Sequence, residues 1–180
     1  MSMIEGVPSR TYDPVQGVLA HLPDGIYGTY EGLMNHLLLS PIVPMEVKEG
    51  LRYVSAVTIG CEFCRTFREV DGSGARLLHD EFYAQVADGD ARWDELVPVQ
   101  WVPVFEMAVE VLDEAGTMSA TTLARLKENL SEAQIVEALF YLFVVGASHR
   151  LSHALGIPAA CAVPATVGAP ETSAAADSAG

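Results

Sequence analysis

The segment from Ser131 to Gly156 constrains the fold more than any other part of this chain. Ser131-Glu132-Ala133-Gln134 has the S-x-x-Q form of a capping box, in which two side chains satisfy backbone N–H groups left unpaired at a helix start. An apolar run, ALFYLFVVGA, follows at 138–147. Gly156 with Pro158 just beyond is a standard helix stop, because glycine relaxes into the terminal turn and proline cannot continue the helix. From Val136 to Val145 this helix is apolar over much of its circumference, more than one subunit of this size is expected to cover. A homo-oligomer is therefore expected.

The rest of the chain reads as helical too. Strict apolar/polar alternation is absent, and no Asn-Gly or Asp-Gly turn sits between β-branched runs. Helices are expected near Val15–His21 and Tyr30–Leu39. Pro44 suits the first turn of a third, with Glu46 near its positive end. Leu51, Val54, Val57 and Thr58 recur at helical spacing, and Gly60 ends that helix. A fourth opens at or near Cys61. DGSG at 71–74 then leads to a helix over 76–87. Residues 94–115 read as helical, split or bent by Pro98 and Pro103, and another helix covers 119–129. From Ile157 the composition shifts to Ala, Pro, Ser, Thr and Gly, so 1–156 is expected to be one all-α domain and 157–180 a flexible tail.

Charge bears on partners. Asp and Glu number 24 against 10 Lys and Arg, for a net charge of −14. Such a surface repels phosphate backbones, which argues against nucleic acid. The run at 138–147 is short against the about 20 residues a membrane span needs, and MSMIEGVPSR lacks the pattern of a signal peptide. No membrane partner and a cytoplasmic location are the expectations.

The chain has three cysteines, too few for a disulfide scaffold. Two form the C-x-x-C of CEFC, Cys61 and Cys64; Cys161 stands alone in the tail. On a helix, positions i and i+3 share a face, so Cys61 and Cys64 can meet. Three readings compete. In the first the pair is redox-active: a thiolate attacks a peroxide or disulfide, and the second cysteine resolves the product. A helix start would favour thiolate at Cys61. In the second the pair ligates zinc with His149 and His153, whose H-x3-H spacing suits it. In the third both are buried packing residues. Glu49 adds weight to the first. In one unbroken helix it would lie about 18 Å from Cys61. If Gly60 breaks the helix and the chain folds back, Glu49 faces the turn after Cys64, where a carboxylate can pass protons. Trp93, Trp101 and Phe105 are read as core or subunit contacts in preference to a pocket wall, and His149 and His153 as hydrogen-bonded packing residues.

The E-x11-C-x2-C arrangement of Glu49, Cys61 and Cys64 in "EGLRYVSAVTIGCEFC" resembles the alkylhydroperoxidase D-like branch of the carboxymuconolactone decarboxylase family. "LSPIVPMEVKEGL" is similar to that family's lead-in, and "LKENLSEAQIVEALFYLFVVGASHRLSHALGI" to its final helical pair. The likeness spans roughly residues 30–157. It implies a compact all-α bundle that assembles into homo-oligomers, trimers or hexamers. It implies reduction of small organic hydroperoxides, or disulfides, by the cysteine pair, with a dihydrolipoyl-carrying protein as reductant. No bound cofactor or metal is expected. By that analogy Cys64 attacks and Cys61 resolves, the reverse of the dipole argument; the order stays open.

One position departs from the family pattern. Where it has a histidine four residues after the second cysteine, this chain has Arg68. Arginine holds its proton at any working pH, so it cannot relay one. It can pair with Glu49 and favour a thiolate. The expected catalytic set is Cys61, Cys64, Glu49 and Arg68. The alternatives are a family member without peroxidase turnover, serving as a decarboxylase-like or ligand-binding bundle, and a structural zinc protein.

Overall fold

A computed structural model describes residues 21–113 and 116–157. Of the helix expected at Val15–His21 only His21 falls within them, in a turn, and Cys161 and the segment 158–180 lie outside. The described residues are mostly helical and contain no strand. In order they form α1 (Asp24–Leu39), α2 (Met45–Ile59), α3 (Glu62–Thr66), α4 (Asp80–Asp88), α5 (Trp93–Leu96), a 3-10 turn (Val99–Trp101), α6 (Val102–Leu112), α7 (Ala120–Asn129) and α8 (Glu132–Ala154).

Helix α2 is the hub, packing against α8, α6, α4, α3 and α1. Every residue from Val47 to Ala56 is buried, so the usual division into an apolar and a wet face is lost. Close approach is part of the reason. A Cβ placed on Gly50 would stand 2.6 Å from Cε1 of Phe105, so glycine lets α6 lie directly on α2. Phe105 stacks on Trp93, with centroids 5.1 Å apart, and meets Phe82 edge-on. Trp101 and Phe105 thus belong to the main core, and Trp93, partly buried, packs against it.

An all-buried helix carrying four polar side chains must supply each with a partner. Lys48 illustrates this. Its Nζ donates to the Ser40 carbonyl (2.7 Å) and pairs with Glu137 of α8 (2.9 Å). Glu137 also accepts from the Ser40 hydroxyl and the Val43 N–H. Burial pushes the Glu137 pKa up, but the hydrogen bonds from Ser40 and Lys48 outweigh it and hold it below the usual carboxylate range. This cluster fixes the α1–α2 connection against α8.

Local signals account for most boundaries. The capping box at Ser131 and Gln134 is formed, and Ser119 caps α7 through the Thr122 N–H. Pro44 precedes α2, Pro98 precedes the 3-10 turn, and Pro103 sits in the first turn of α6. Two boundaries differ from expectation. Helix α1 begins at Asp24, six residues before Tyr30, and the helix expected over 76–87 begins only at Asp80. Residues 71–75 form a tight turn instead, in which Asp71 Oδ1 accepts from the Ser73 and Ala75 N–H groups. It is closed by an isolated antiparallel bridge between Val70 and Arg76. Side-chain capping by Asp71 competes there with continued helix.

Helix α8 is long and apolar enough, by length and composition, to cross a membrane. It packs along α2, placing Ile135, Ala138, Tyr141, Leu142 and Val145 in the core and burying His149.

Candidate thiol site

The site is built on the break at Gly60. Gly60 has φ 77°, the left-handed conformation that glycine adopts without the steric cost of a Cβ, and its N–H returns to Ala56 and Val57. The Cys61 N–H also bonds the Ala56 carbonyl (2.9 Å). With the chain reversed, Cys61 becomes the N-cap of α3, and its sulfur accepts from the Cys64 N–H at 3.3 Å. Cys61 and Cys64 are joined by a disulfide, with Cα atoms 5.3 Å apart. This lies within the roughly 4.4–6.8 Å span of such bonds.

Glu49 is fully buried and faces the chain after Cys64, as expected of a helix broken at Gly60. Its expected partner is corrected. The ion pair runs to Arg52, one helical turn on, by a two-pronged contact: Nε to Oε2 at 2.6 Å and Nη2 to Oε1 at 2.8 Å. Arg52 also donates to the carbonyls of Cys64 (2.8 Å) and Phe67 (2.9 Å). A planar fork of five donors suits one carboxylate and two carbonyls at once. Burial works against the Arg52 charge, but Glu49 more than offsets it and the pKa is raised. Arg52 therefore clamps the cysteine segment onto α2.

Arg68 points elsewhere. Its guanidinium lies over the rings of Tyr83 (4.0 Å) and Tyr53 (4.6 Å), and it donates to the carbonyls of Arg65 and Phe67. The Tyr83 hydroxyl donates to Glu49 at 2.9 Å, so Arg68 reaches Glu49 only through a tyrosine. Burial, then the negative charge of Glu49, raise the Tyr83 pKa.

A cavity of about 360 Å³ opens beside Cys64. Tyr27, Tyr30 and Met34 of α1 form one wall; Tyr141, Val145 and His149 of α8 form another. Cys64, Phe63, Phe67, Arg52 and Glu69 line it as well, with Glu31, Asn35, Leu38 and Ser148, and neither Cys61, Glu49 nor Arg68 is among its lining residues. The two sulfurs are thus unequal: Cys64 lines the cavity and Cys61 packs behind it.

The histidines are held individually. His149 Nδ1 and Ser55 Oγ are hydrogen-bonded at 2.9 Å, and His153 Nδ1 donates to the Gly60 carbonyl at 2.9 Å. Burial, followed by the Arg52 charge, pulls the His149 pKa down to about 3. Among the described residues no group of three or more His, Cys, Asp or Glu side chains is placed to hold a metal ion.

Sequence reasoning missed Arg52, Tyr83, Tyr141 and Glu69. Arg52 carried a signal, the i,i+3 spacing from Glu49 that pairs charges on a helix. Glu69 is half-buried, and its N–H donates to Glu49 Oε1 at 3.4 Å. Burial and the neighbouring Glu49 charge raise its pKa, against the opposing pull of Arg52. Compared with protein-family models, with curated proteins and with solved structures, the chain matches none.

Proposed function

We propose that this protein is a thiol-dependent oxidoreductase that reduces small organic hydroperoxides, or disulfides, through Cys61 and Cys64, in the manner of the alkylhydroperoxidase D-like proteins its motif resembles. The observation that carries this reading is the asymmetric pair: two cysteines within bonding distance, one of them on a largely apolar cavity. Cys64 is the attacking group and Cys61 the resolving one. The Cys64 thiolate attacks the hydroxyl oxygen of ROOH; the S–O bond forms, the O–O bond breaks, and the alkoxide leaves as alcohol once protonated. The Cys61 thiol then attacks the sulfenic sulfur of Cys64, the disulfide forms, and hydroxide leaves with the Cys61 proton as water. A dithiol, such as a dihydrolipoyl group on a partner protein, reduces the disulfide and is itself oxidised. The same reading includes a cytoplasmic setting and a homo-oligomer, trimeric or hexameric.

Arg52 and Glu49 support this chemistry by position. A buried, two-pronged ion pair anchoring the carbonyls of Cys64 and Phe67 holds the thiol at the cavity wall while the disulfide opens and closes. The test is peroxide consumption by the reduced protein with a dithiol donor. Wild type is expected to turn over. Cys64→Ser is expected to be inert, and Cys61→Ser to react once and stop. The same cavity would serve the alternative reading, a ligand-binding or decarboxylase-like bundle, which predicts that small apolar ligands bind without any thiol being consumed.

A further inference from the structure

An alkoxide is a poor leaving group, and breaking the O–O bond of an alkyl hydroperoxide is aided by a proton donor at the departing oxygen. The residues expected from sequence to deal with that proton are not in position for it. Glu49 accepts at both oxygens from Arg52, Tyr83 and the Glu69 N–H. Arg68 is stacked on two tyrosines. Neither lines the cavity beside Cys64.

Resting on the peroxide-reducing reading above, we infer that Glu69 is the proton donor of this site, placed on the cavity wall with Cys64 and delivering its proton to the alkoxide oxygen as the O–O bond breaks. Two further observations support it. The Glu69 main chain is tied to Glu49, so the side chain is carried on a backbone held to the same buried ion pair that positions Cys64. The groups acting on it electrostatically are Glu49 and Arg52 from α2 and Tyr141 from α8. Of these, Glu49 favours the protonated acid, as does burial, so Glu69 keeps its proton to higher pH than an ordinary glutamate.

The other polar groups on the wall are worse donors: the phenols of Tyr27 and Tyr30, the Ser148 hydroxyl and the Asn35 amide are weaker acids than a carboxyl group. His149 is neutral through most of the pH range, with its pKa down at about 3. The Tyr141 phenol, raised by burial, holds its proton more tightly than free tyrosine. Arg52 does not give up a proton. Glu31, from α1, is exposed. After the first step Glu69 is a carboxylate and regains its proton from solvent, so the overall balance stays ROOH plus two thiols giving ROH, water and a disulfide.

The test separates oxidants by leaving group. tert-Butyl hydroperoxide expels an alkoxide and needs the proton; peracetic acid expels acetate, which does not. Rapid-quench thiol counting on the fully reduced full-length chain measures the oxidation of Cys64 by each. Glu69→Gln is expected to slow the tert-butyl hydroperoxide reaction by about 100-fold while leaving the peracetic acid reaction within about twofold, and Glu69→Asp is expected to fall between. The peracetic acid rate in the same variant shows that Cys64 is still correctly held. Equal slowing toward both oxidants would reduce Glu69 to a structural role, and no slowing toward either would dismiss it. A wild-type protein whose Cys64 reacts with peracetic acid but never with alkyl hydroperoxides would instead overturn the peroxidase reading itself, and this assignment with it.

Discussion

Arg52 and Arg68 both lie in sequence reach of Glu49, and the structure separates their roles. Arg52 is buried and makes four hydrogen bonds, two to Glu49 and two to carbonyls around the cysteines. Removing one partner of a buried pair strands the other, at a cost of about 3–5 kcal/mol. Arg52→Ala is therefore expected to lower unfolding stability by that order in denaturant titration, and Arg68→Ala, which loses its stacking over two tyrosine rings, by about 1–2 kcal/mol. The reverse order would mean that Arg68 holds the site. His149 gives a pH signature. Its pKa is about 3 in the fold against an ordinary value of 6.5. The unfolded chain thus binds a proton that the folded one refuses. The stability from neutral His149 is complete above about pH 6.5 and is lost as pH falls toward 3. His149→Asn, which can keep a polar contact with Ser55, is expected to flatten the stability–pH slope in that window by up to about one proton. An unchanged slope would show that His149 is not the group responsible. The residue scale is also where sequence was least legible. The i,i+3 spacing offered Arg52, but nothing local says that Arg68 turns onto Tyr83 and Tyr53, because those rings come from α4 and α2 and meet it only in the folded chain.

At the scale of elements, boundaries set by backbone chemistry were readable and those set by packing were not. Pro44, Gly60, Ser131 with Gln134, and Gly156 each act within a turn of their own position, and each marks a helix end in the structure. Pro23 stands before α1 as Pro44 stands before α2, so the start at Asp24 carries the same signal although the helix was expected only from Tyr30. The delayed start of α4 at Asp80 carries no such punctuation and depends on the Asp71 turn and the Val70–Arg76 bridge. The reversal at Gly60 is the element-scale feature the site depends on. Gly60→Ala forces a Cβ into a left-handed conformation and brings it to 3.5 Å from the His153 ring. It is expected to cost about 1–2 kcal/mol and to slow closure of the Cys61–Cys64 disulfide, measured by thiol trapping after oxidation. An unaltered closure rate would show that α3 finds its place without that turn.

Across the whole molecule, the acidic surface and the uncovered apolar side chains pull in different directions. Val136, Phe140 and Phe143 on α8 are exposed by 64, 47 and 45 %. Charge favours separate, soluble chains, whereas apolar side chains of this size favour burial between subunits. A homo-oligomer is expected by light scattering at micromolar concentration, and Phe140→Glu is expected to shift it toward monomer if α8 lies in the contact. A monomeric wild type would contradict this assembly. In the proposed function, the Gly60 reversal, the Arg52–Glu49 clamp and the cavity let Cys64 reduce a peroxide and Cys61 complete the turnover. That function is tested most directly by mass spectrometry of the fully reduced protein after one equivalent of an organic hydroperoxide. The expected products are a Cys61–Cys64 disulfide with one equivalent of alcohol released, and in Cys61→Ser a sulfenic acid trapped at Cys64. Recovery of both thiols unmodified, with the hydroperoxide intact, would contradict it.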